Sequence, residues 1–390
     1  MAAGLLAVPE RALARVNVGA VERNCARLMG ELEHSSRLCA VVKADGYGHG
    51  ALACARAAGA AGASWLAVAT AAEAAALRRA DVRERVLVMG ALSRPELQQA
   101  LACDADVVAW DERFVAAVAA LGGGRVHVKL DTGMGRLGTR DVAQATRVVE
   151  AVRAAPQLSL IGAMTHFATA DELGDRFFGE QRERFAAWAV PLKEDHPDLM
   201  LHAANSAATL RDSGAHFDMV RCGIAIYGMD PFGADPFAWA LEPALELCSY
   251  VAAVKPCRAG QSTGYGRRFV AQHDTTLATL PIGYGDGVRR GLTNNADILI
   301  GGRRHRLVGA VSMDNITVEL SDHDPPVQEG QAAVLIGRDE DERILAEDLA
   351  RRLDTVNYEV TCALSARMPR RYHRDGTDVE QASGPGAPAT

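Results

Sequence analysis

The sequence has 390 residues, which leaves room for two domains, since a single core rarely grows beyond roughly 250–300 residues. The hydrophobic fraction of 48% and the charged fraction of 23% are typical of a folded globular protein. The formal net charge of -7 argues against nucleic acid and anionic membrane as partners, because both require basic patches.

The number and spacing of the cysteines indicate the cellular compartment of the protein. Eight cysteines lie scattered along the chain without a Cys-x-x-Cys pair. We therefore expect reduced core residues in a cytoplasmic protein rather than a disulfide framework. The apolar stretch near the first residue is too short for a signal peptide, and no run approaches the length that spans a membrane.

An alternating α/β pattern occupies about the first 240 residues. Residues 12–18 have weak strand alternation, and residues 19–33 have the spacing of an amphipathic helix. Apolar strand segments then alternate with helical segments such as 71–81, 112–121 and 140–154; the strands are expected at 38–42, 65–70, 86–91, 106–110, 126–131, 158–165, 199–205 and 219–227. The simplest closed arrangement of eight such strands is a parallel (β/α)8 barrel, and a doubly wound sheet is the alternative.

The pattern changes after about residue 240. Strand segments now follow one another with one helical segment, 345–353, among them; they lie at 246–254, 276–282, 297–300, 307–311, 316–320 and 332–336. This order predicts a C-terminal, mainly antiparallel β domain. We expect the barrel to span residues 18–240 and the β domain to combine 1–17 with 241–374, and the Gly-, Pro-, Ala- and Ser-rich residues 375–390 to be disordered.

A single lysine, Lys43, ends the first apolar strand and precedes a glycine-rich turn that contains Tyr47. The carboxyl ends of strands are where barrels and doubly wound folds bind ligands. Burial lowers the pKa of an ammonium group and frees the amine for imine chemistry with carbonyls or pyridoxal phosphate. On position alone, a solvated lysine that caps the strand is an equally good interpretation.

Polar residues also follow the fifth and sixth predicted barrel strands. Gly133, Gly135 and Gly138 formally match Gly-x-Gly-x-x-Gly, but a dinucleotide fold usually opens with this motif, and here it comes in the fifth unit. Arg136 within the motif is suited to an anion, because its guanidinium fork matches a carboxylate. His166 ends the sixth strand, either as a packed polar residue or as a flat ring against a flat cofactor.

The loops after the seventh and eighth strands are the usual phosphate site of such barrels. Ser206 follows the seventh strand, and Gly223 and Ile224 lie in the eighth, so a hydroxyl and backbone N–H groups are available there. Arg221 beside them needs an acceptor when buried, because guanidinium does not deprotonate. The pattern favours a phosphorylated cofactor.

Other chemistries have little support. The sequence contains no His-Glu-x-x-His, no Cys or His cluster with metal-ligand spacing, and no Gly-x-Ser-x-Gly, so no metal is expected. Tyr265 and Tyr284 each lie between glycines in the β domain, where a tyrosine taken alone is usually a turn residue.

Taken together, these segments are similar to the alanine racemase family. The matching motifs lie at residues 40–50, 129–138, 221–228, 281–287 and 357–359, and the resemblance runs from residue 40 to about 371. It implies an α/β barrel followed by a β domain, pyridoxal 5'-phosphate as cofactor, and interconversion of L- and D-alanine. One departure is Asp45-Gly46, where the family often has Asn-Ala; both suit a tight turn.

The resemblance also implies residue roles around the cofactor. Lys43 would hold it as an imine, and its phosphate would be bound by Tyr47, Ser206, Gly223, Ile224 and Tyr358. Arg221 would face the pyridine nitrogen with support from His202, and His166 would lie against the ring. Arg136 would belong to the substrate-binding residues and would also contact the phenolic oxygen of the cofactor.

The family implies a homodimer in which each site uses residues of both subunits. Tyr265 of the second subunit would face Lys43 across the substrate, and Met313 of that subunit would offer its N–H to the substrate carboxylate. Two acid–base groups on opposite faces suit racemisation, with Lys43 serving the D form and Tyr265 the L form. Tyr284 and Tyr358 would close a small pocket that favours alanine.

Lys129 corresponds to a position that is often carbamylated in the family, which would give an anion that orients Arg136. An unmodified lysine there would repel Arg136 instead. Three alternatives remain open: a broad-specificity amino-acid racemase, a pyridoxal-phosphate amino-acid decarboxylase of the same architecture, and a non-enzymatic carrier. The decarboxylases usually place an acidic residue at the pyridine nitrogen, so Arg221 argues against them.

Overall fold

A closed barrel of eight parallel strands forms the first part of the chain. The computed structural model describes residues 10–33, 36–320 and 326–379. Strand β1 (Ala12–Asn17) and helix α1 (Val18–Met29) precede the barrel. The barrel strands are β2 (Arg37–Val41), β3 (Trp65–Val68), β4 (Arg85–Val88), β5 (Asp106–Ala109), β6 (Gly124–Lys129), β7 (Leu158–Met164), β8 (Met200–His202) and β9 (Met219–Cys222). They pair in chain order, and β9 closes the barrel on β2.

Helices cover the outside of the barrel. They are α3 (Ala51–Ala60), α4 (Ala71–Arg79), α5 (Arg94–Ala102), α6 (Glu112–Ala120), α7 (Val142–Ala154), α8 (Phe177–Asp195) and α9 (Ser206–Arg211), and a single turn, α2 (Lys43–Tyr47), lies between β2 and α3. N-cap residues fix the first turn of several helices. The Thr70 side chain accepts from the backbone N–H of Glu73 at the start of α4, and the Asp111 side chain accepts from the N–H of Phe114 at the start of α6. Strands such as β3 are buried along their whole length, as expected for a parallel sheet covered on both faces.

A second, mainly antiparallel sheet follows the barrel. Its strands are β10 (Leu245–Tyr250), β11 (Ala253–Cys257), β14 (Thr275–Leu280), β15 (Asp297–Ile300), β16 (Arg303–Val308), β17 (Ile316–Leu320), β18 (Ala332–Asp339), β19 (Glu342–Ile344), β20 (Arg370–Arg374) and β21 (Thr377–Asp378), and β1 lies between β10 and β20. Strands β12 (Ser262–Thr263) and β13 (Phe269–Val270) form a separate hairpin, and helices α10 (Ala346–Leu353) and α11 (Asn357–Cys362) complete this part. The predicted fold class, a parallel barrel followed by an antiparallel β domain, is confirmed.

Several local predictions were wrong. The predicted strand 246–254 is two strands, because the chain leaves β10 after Tyr250 and pairs again only from Ala253. The eighth barrel strand ends at Cys222, and residues 224–227 form a 3-10 turn in which Ile226 N donates to Gly223 O. Helix α11 was not predicted.

Five residues of the expected tail have defined structure. Residues 375–379 are ordered: Asp375 pairs with Arg23 of α1, and Thr377–Asp378 adds a strand to β20. Residues 380–390 of the expected tail lie outside the described residues, as do residues 1–9 of the expected β domain. In the described part of the chain, no helix combines the length and apolar character needed to cross a membrane.

Candidate active site

The chain turns sharply where Lys43 leaves the first barrel strand. Residues Ala44, Asp45, Gly46 and Tyr47 all have positive φ, at 52°, 51°, 62° and 54°, so α2 is one turn of left-handed helix. Left-handed backbone costs residues other than glycine roughly 1–2 kcal/mol each, and such conformations persist only where surrounding contacts fix them. The predicted glycine-rich turn is therefore a strained element that presents Lys43.

Side chains from neighbouring elements hold this turn. The Glu73 carboxylate accepts from Ala44 N at 2.6 Å and from Ala69 N at 2.8 Å, which ties the turn to the end of β3. Asp45 Oδ1 accepts from Ala51 N at 2.9 Å at the start of α3. Sequence reasoning missed Glu73, although the Thr70-x-x-Glu73 capping pattern was readable.

The C-terminal part of the chain packs on the same turn. Gly48 has φ 85°, and a Cβ there would overlap the carbonyl group of Thr361 in α11. Arg370 Nε donates to Gly48 O at 2.9 Å. Helix α11 is thereby fixed against the Lys43 turn, which brings Tyr358 to the barrel.

Two lysines at the barrel mouth are electrostatically coupled to arginines. Burial, followed by the charge of Arg136, lowers the pKa of Lys43. Burial and the charges of Arg221 and Arg136 lower the pKa of Lys129 to about 8, and this residue is 5% exposed. Arg136 itself is exposed and forms no hydrogen bond or ion pair with the described residues. The cluster is therefore an excess of positive charge that would attract an anion.

Arg221 is buried without a carboxylate bound to it within the described part of the chain. It is 3% exposed and donates to His202 Nδ1 at 3.0 Å, to Thr165 O at 2.8 Å and to His166 Nδ1 at 3.3 Å. Burial, together with the Arg221 charge, holds the pKa of His166 and of His202 well below the usual value. Both imidazoles are therefore neutral beside a permanent cation.

Ser206, Gly223 and Ile224 meet as the sequence predicted. Ser206 Oγ accepts from Gly223 N at 3.0 Å and from Ala225 N at 3.3 Å. Ile224 is the first residue of its 3-10 turn, so its N–H has no partner within that turn. A Cβ on Gly223 would overlap the Tyr47 hydroxyl, so only glycine leaves room for this approach.

Tyrosines line the other side of these N–H groups. The Tyr47 ring lies 5.8 Å from the Tyr358 ring and 5.1 Å from the Tyr227 ring, centroid to centroid. Burial raises the pKa of Tyr47 and of Tyr358, so both phenols keep their protons and can donate. The Tyr47 and Ser206 hydroxyls thus both lie next to Gly223, and the Tyr358 ring packs against the Tyr47 ring.

Tyr265, Tyr284 and Met313 lie elsewhere, on the surface of the β domain. Their exposures are 75%, 44% and 52%, and a cavity of about 520 Å3 borders Tyr265 and Tyr284. No hydrogen bond, ion pair or ring contact among the described residues joins any of the three to Lys43. One chain therefore contains two separate groups of predicted site residues.

A buried carboxylate fixes the loops that carry the second group. Asp286 pairs with Arg11 and, at 2.8 Å, with Arg367, and it accepts from Gly283 N at 2.9 Å. Arg367 also donates to Met313 O at 3.2 Å. Neither Asp286 nor Arg367 was predicted from the sequence. The Gly-Tyr-Gly-Asp motif, which ends in Asp286, could have indicated that residue.

The residues at the barrel mouth suit one kind of ligand. A lysine of lowered pKa can react with a carbonyl group, and the neutral imidazole of His166 can stack on a flat ring. The Ser206 hydroxyl, the first N–H of the turn at Ile224 and the Tyr47 phenol suit a phosphate. Fold and site together define a lysine-centred α/β-barrel enzyme with an appended β domain.

Comparison with known proteins assigns the family. A family model described as the N-terminal domain of alanine racemase matches residues 16–231, and one described as its C-terminal domain matches residues 244–372. Alanine racemase 1 of Bacillus subtilis is 39% identical over 375 residues, 94% of each chain. Alanine racemase of Symbiobacterium thermophilum is 41% identical over 367 residues, 92% of this chain and 96% of the relative. The chain belongs to the alanine racemase family, and the resemblance inferred from the sequence is confirmed.

Solved structures agree with this assignment. Alanine racemase from E. faecalis superposes with a TM-score of 0.88 at 34% identity, covering 96% of this chain and 100% of that one. Alanine racemase from Bacillus anthracis, solved with bound L-Ala-P, has a TM-score of 0.88 at 35% identity and covers 95% and 97% of the two chains.

Proposed function

We propose that this protein interconverts L-alanine and D-alanine with pyridoxal 5'-phosphate bound at Lys43. The observation that carries the proposal is the position of Lys43 at a barrel strand end, where burial and Arg136 lower its pKa. Full-length relatives named alanine racemase support the reaction and the substrate. Pyridoxal phosphate, when bound, supplies an electron sink that acidifies the α-carbon of an amino acid.

The phosphate of the cofactor would be held at the ends of β8 and β9. Ser206, the N–H groups of Gly223 and Ile224, and the phenols of Tyr47 and Tyr358 would bind it, and Gly223 N–H would be shared between the phosphate and Ser206 Oγ. The support is their convergence, with Ser206 Oγ 3.0 Å from Gly223 N and the two tyrosine rings 5.8 Å apart. Each is a neutral donor, so the phosphate would keep its charge.

Arg221 would donate a hydrogen bond to the pyridine nitrogen. His202 would fix the orientation of the guanidinium, because its Nδ1 accepts from Arg221 Nη1 at 3.0 Å. Because guanidinium keeps its proton, Arg221 would leave the ring nitrogen unprotonated. That weakens the electron sink and favours return of a proton to the α-carbon, which is racemisation rather than transamination. His166 would lie against the ring, and Arg136 would contact the phenolic oxygen.

Racemisation needs a proton removed from one face of the α-carbon and returned on the other. Lys43 Nζ would act on the D form and Tyr265 Oη of the partner subunit on the L form. The N–H of Met313 of the partner subunit would bind the substrate carboxylate, and Tyr284 would narrow the entrance. A homodimer is supported by the exposure of Tyr265, Tyr284 and Met313 on the β domain, where the described residues give none of them a hydrogen bond, ion pair or ring contact with Lys43.

Three further assignments belong to the proposal. Lys129 would be carbamylated, supported by its lowered pKa of about 8, since the neutral amine is the form that reacts with carbon dioxide. The barrel domain would span residues 18–240, and the β domain 1–17 plus 241–374. A cytoplasmic location is supported by eight cysteines that are all free.

Chiral chromatography of L-alanine, L-serine and L-lysine after incubation with the protein and pyridoxal phosphate tests this function. We expect alanine to approach an even mixture of isomers, with the other two much slower. Lys43→Ala should abolish conversion, while Lys255→Ala, a matched change at an exposed strand lysine, should leave it unchanged. Equally fast conversion of lysine or serine would indicate a broad-specificity racemase, and decarboxylated product or no product would overturn the proposal.

A further inference from the structure

A chain of buried polar groups leads from Arg221 through the barrel interior. His202 Nε2 lies 2.8 Å from His127 Nδ1, and His127 Nε2 lies 3.1 Å from Asp106 Oδ2. His202, His127 and Asp106 are each 0% exposed. This series of hydrogen-bonded side chains thus links β9, β8, β6 and β5 without contact with solvent.

The hydrogen-bond pattern of this chain has only one consistent direction. Arg221 can only donate, so Nδ1 of His202 accepts and its Nε2 carries the proton. His127 must then accept at Nδ1 and donate from Nε2, which requires an acceptor at its far end. Asp106 is that acceptor, and every donor in the chain therefore points toward its carboxylate.

Asp106 is held as an anion. Arg85 donates to it at 2.6 Å and Arg125 at 2.6 Å, from the rim of the barrel. Burial acts to raise the pKa of Asp106, but the hydrogen bond from His127 and the arginine charges hold it below its usual value. A carboxylate behind an imidazole raises the basicity of the opposite ring nitrogen. Here that effect would reach the nitrogen of His202 that accepts from Arg221.

The strand between the two histidines leaves space for their contact. Gly162 in β7 has no unusual φ, so its backbone conformation does not require glycine. A Cβ at that position would overlap His127 Nδ1, the atom that accepts from His202. The glycine at this position is thus explained by the hydrogen bond between His202 and His127, which needs the space that a Cβ would fill.

We propose that Asp106 and His127 are positioning residues that fix Arg221 through His202, a role that rests on the proposed function because Arg221 is the group assigned to the cofactor ring. Asp106 would accept at the far end of this hydrogen-bond network, so that His202 presents its unprotonated Nδ1 to Arg221 while no carboxylate binds the guanidinium directly. Arg221 would thereby keep the orientation that the proposed function assigns to it.

Histidine NMR on full-length protein labelled with 15N in the imidazoles tests the direction of the chain, with and without pyridoxal phosphate. We expect both His127 and His202 to be neutral with the proton on Nε2, and His127→Gln and His202→Gln spectra assign the signals. A charged ring, or a proton on Nδ1 of either one, would overturn the proposal whether or not the protein racemises alanine.

Three variants test the role. Asp106→Asn removes the charge, Gly162→Ala blocks the histidine contact, and Asp104→Asn is the matched control, because Asp104 pairs with Arg125 at 2.7 Å but does not bind His127. We expect the first two to shift the His202 Nε2–H signal upfield, to change the absorption of bound cofactor and to lower kcat about tenfold with little change in KM. The control should do none of these.

The same variants separate this inference from the proposed function. Unchanged His202 signals and unchanged kcat in Asp106→Asn would overturn the positioning role, as would equal effects in the Asp104→Asn control. If the wild-type protein fails to racemise alanine but the His202 signal and the cofactor absorption respond as stated, the proposed function fails and the positioning role stands.

Discussion

Lys129 illustrates how one buried side chain carries an electrostatic cost. Its pKa falls from 10.5 to about 8, first because of burial and then because of Arg221 and Arg136. Below pH 8 the lysine is charged in both folded and unfolded chains, so the full cost of about 3 kcal/mol destabilises the folded protein. Between pH 8 and 10.5 the unfolded chain binds more protons, so this cost disappears as pH rises.

We predict that Lys129→Met stabilises the protein in buffer free of carbon dioxide at pH 7, and that the gain in unfolding free energy shrinks as pH rises through 8. Urea unfolding at several pH values measures this, with Lys255→Met, at an exposed lysine, as control. Bicarbonate should stabilise the wild-type protein and the Lys255→Met control but not Lys129→Met, and it should add an acid-labile mass of carbon dioxide to the first two. A plain lysine mass in bicarbonate would remove the carbamylation proposal.

The residues of the candidate site differed in how well the sequence predicted their positions. Lys43, Ser206 and Gly223 were predictable because strand ends in a barrel converge, and their positions along the chain suffice to place them. Glu73 had a local signal in its capping pattern. Asp106 and His127 had none, because their contact joins two strands and because the contact of His127 with His202 needs the space beside Gly162, neither of which sequence spacing encodes.

At the scale of elements, the left-handed turn after β2 depends on helix α11. The turn is backbone with positive φ, and α11 supplies the carbonyl of Thr361 that packs against Gly48. This contact couples the Lys43 turn to the helix that carries Tyr358. Loss of the contact should therefore affect stability and cofactor binding together.

We predict that Gly48→Ala lowers the free energy of unfolding by about 2 kcal/mol or more, because the new Cβ overlaps Thr361 in addition to the cost of positive φ. Gly122→Ala is the matched control, since Gly122 has φ 102° but no atom within 4 Å of the added Cβ. Urea unfolding and titration with pyridoxal phosphate measure both effects. Weakened cofactor binding in the control as well would show that the Thr361 contact is not the cause.

The elements themselves were predictable where local pattern decides them. Segments 297–300 and 316–320 match β15 and β17, because each is a short apolar run between turn residues. Helix α11 escaped prediction because its start depends on distant partners: Asn357 donates to Asp230 O at 2.8 Å and to Glu347 at 2.8 Å. Such tertiary anchors override weak local preference.

For the whole molecule, the main consequence of the proposed function is that one chain would hold two half-sites. Lys43, Arg221 and the residues assigned to the phosphate lie at the barrel mouth, and Tyr265, Tyr284 and Met313 lie exposed on the β domain. In the proposed two-fold symmetric dimer, each barrel mouth would meet the β-domain surface of the partner, so two complete sites would form. A monomer would contain none.

This arrangement makes a complementation test decisive. We predict that Lys43→Ala and Tyr265→Phe are each inactive as homodimers, although Tyr265→Phe still binds pyridoxal phosphate. Unfolded together in equal amounts and refolded, the two chains should regain roughly a quarter of wild-type racemase activity, because half the dimers are mixed and each mixed dimer has one intact site.

Two controls complete the test. Refolded wild-type protein sets the full value, and mixing the folded variants without unfolding shows whether subunits exchange. Activity from Tyr265→Phe alone would contradict its acid–base role. If the refolded mixture stays inactive while the wild-type control recovers, each site would have to be built from residues of a single chain, and the shared-site dimer would be wrong.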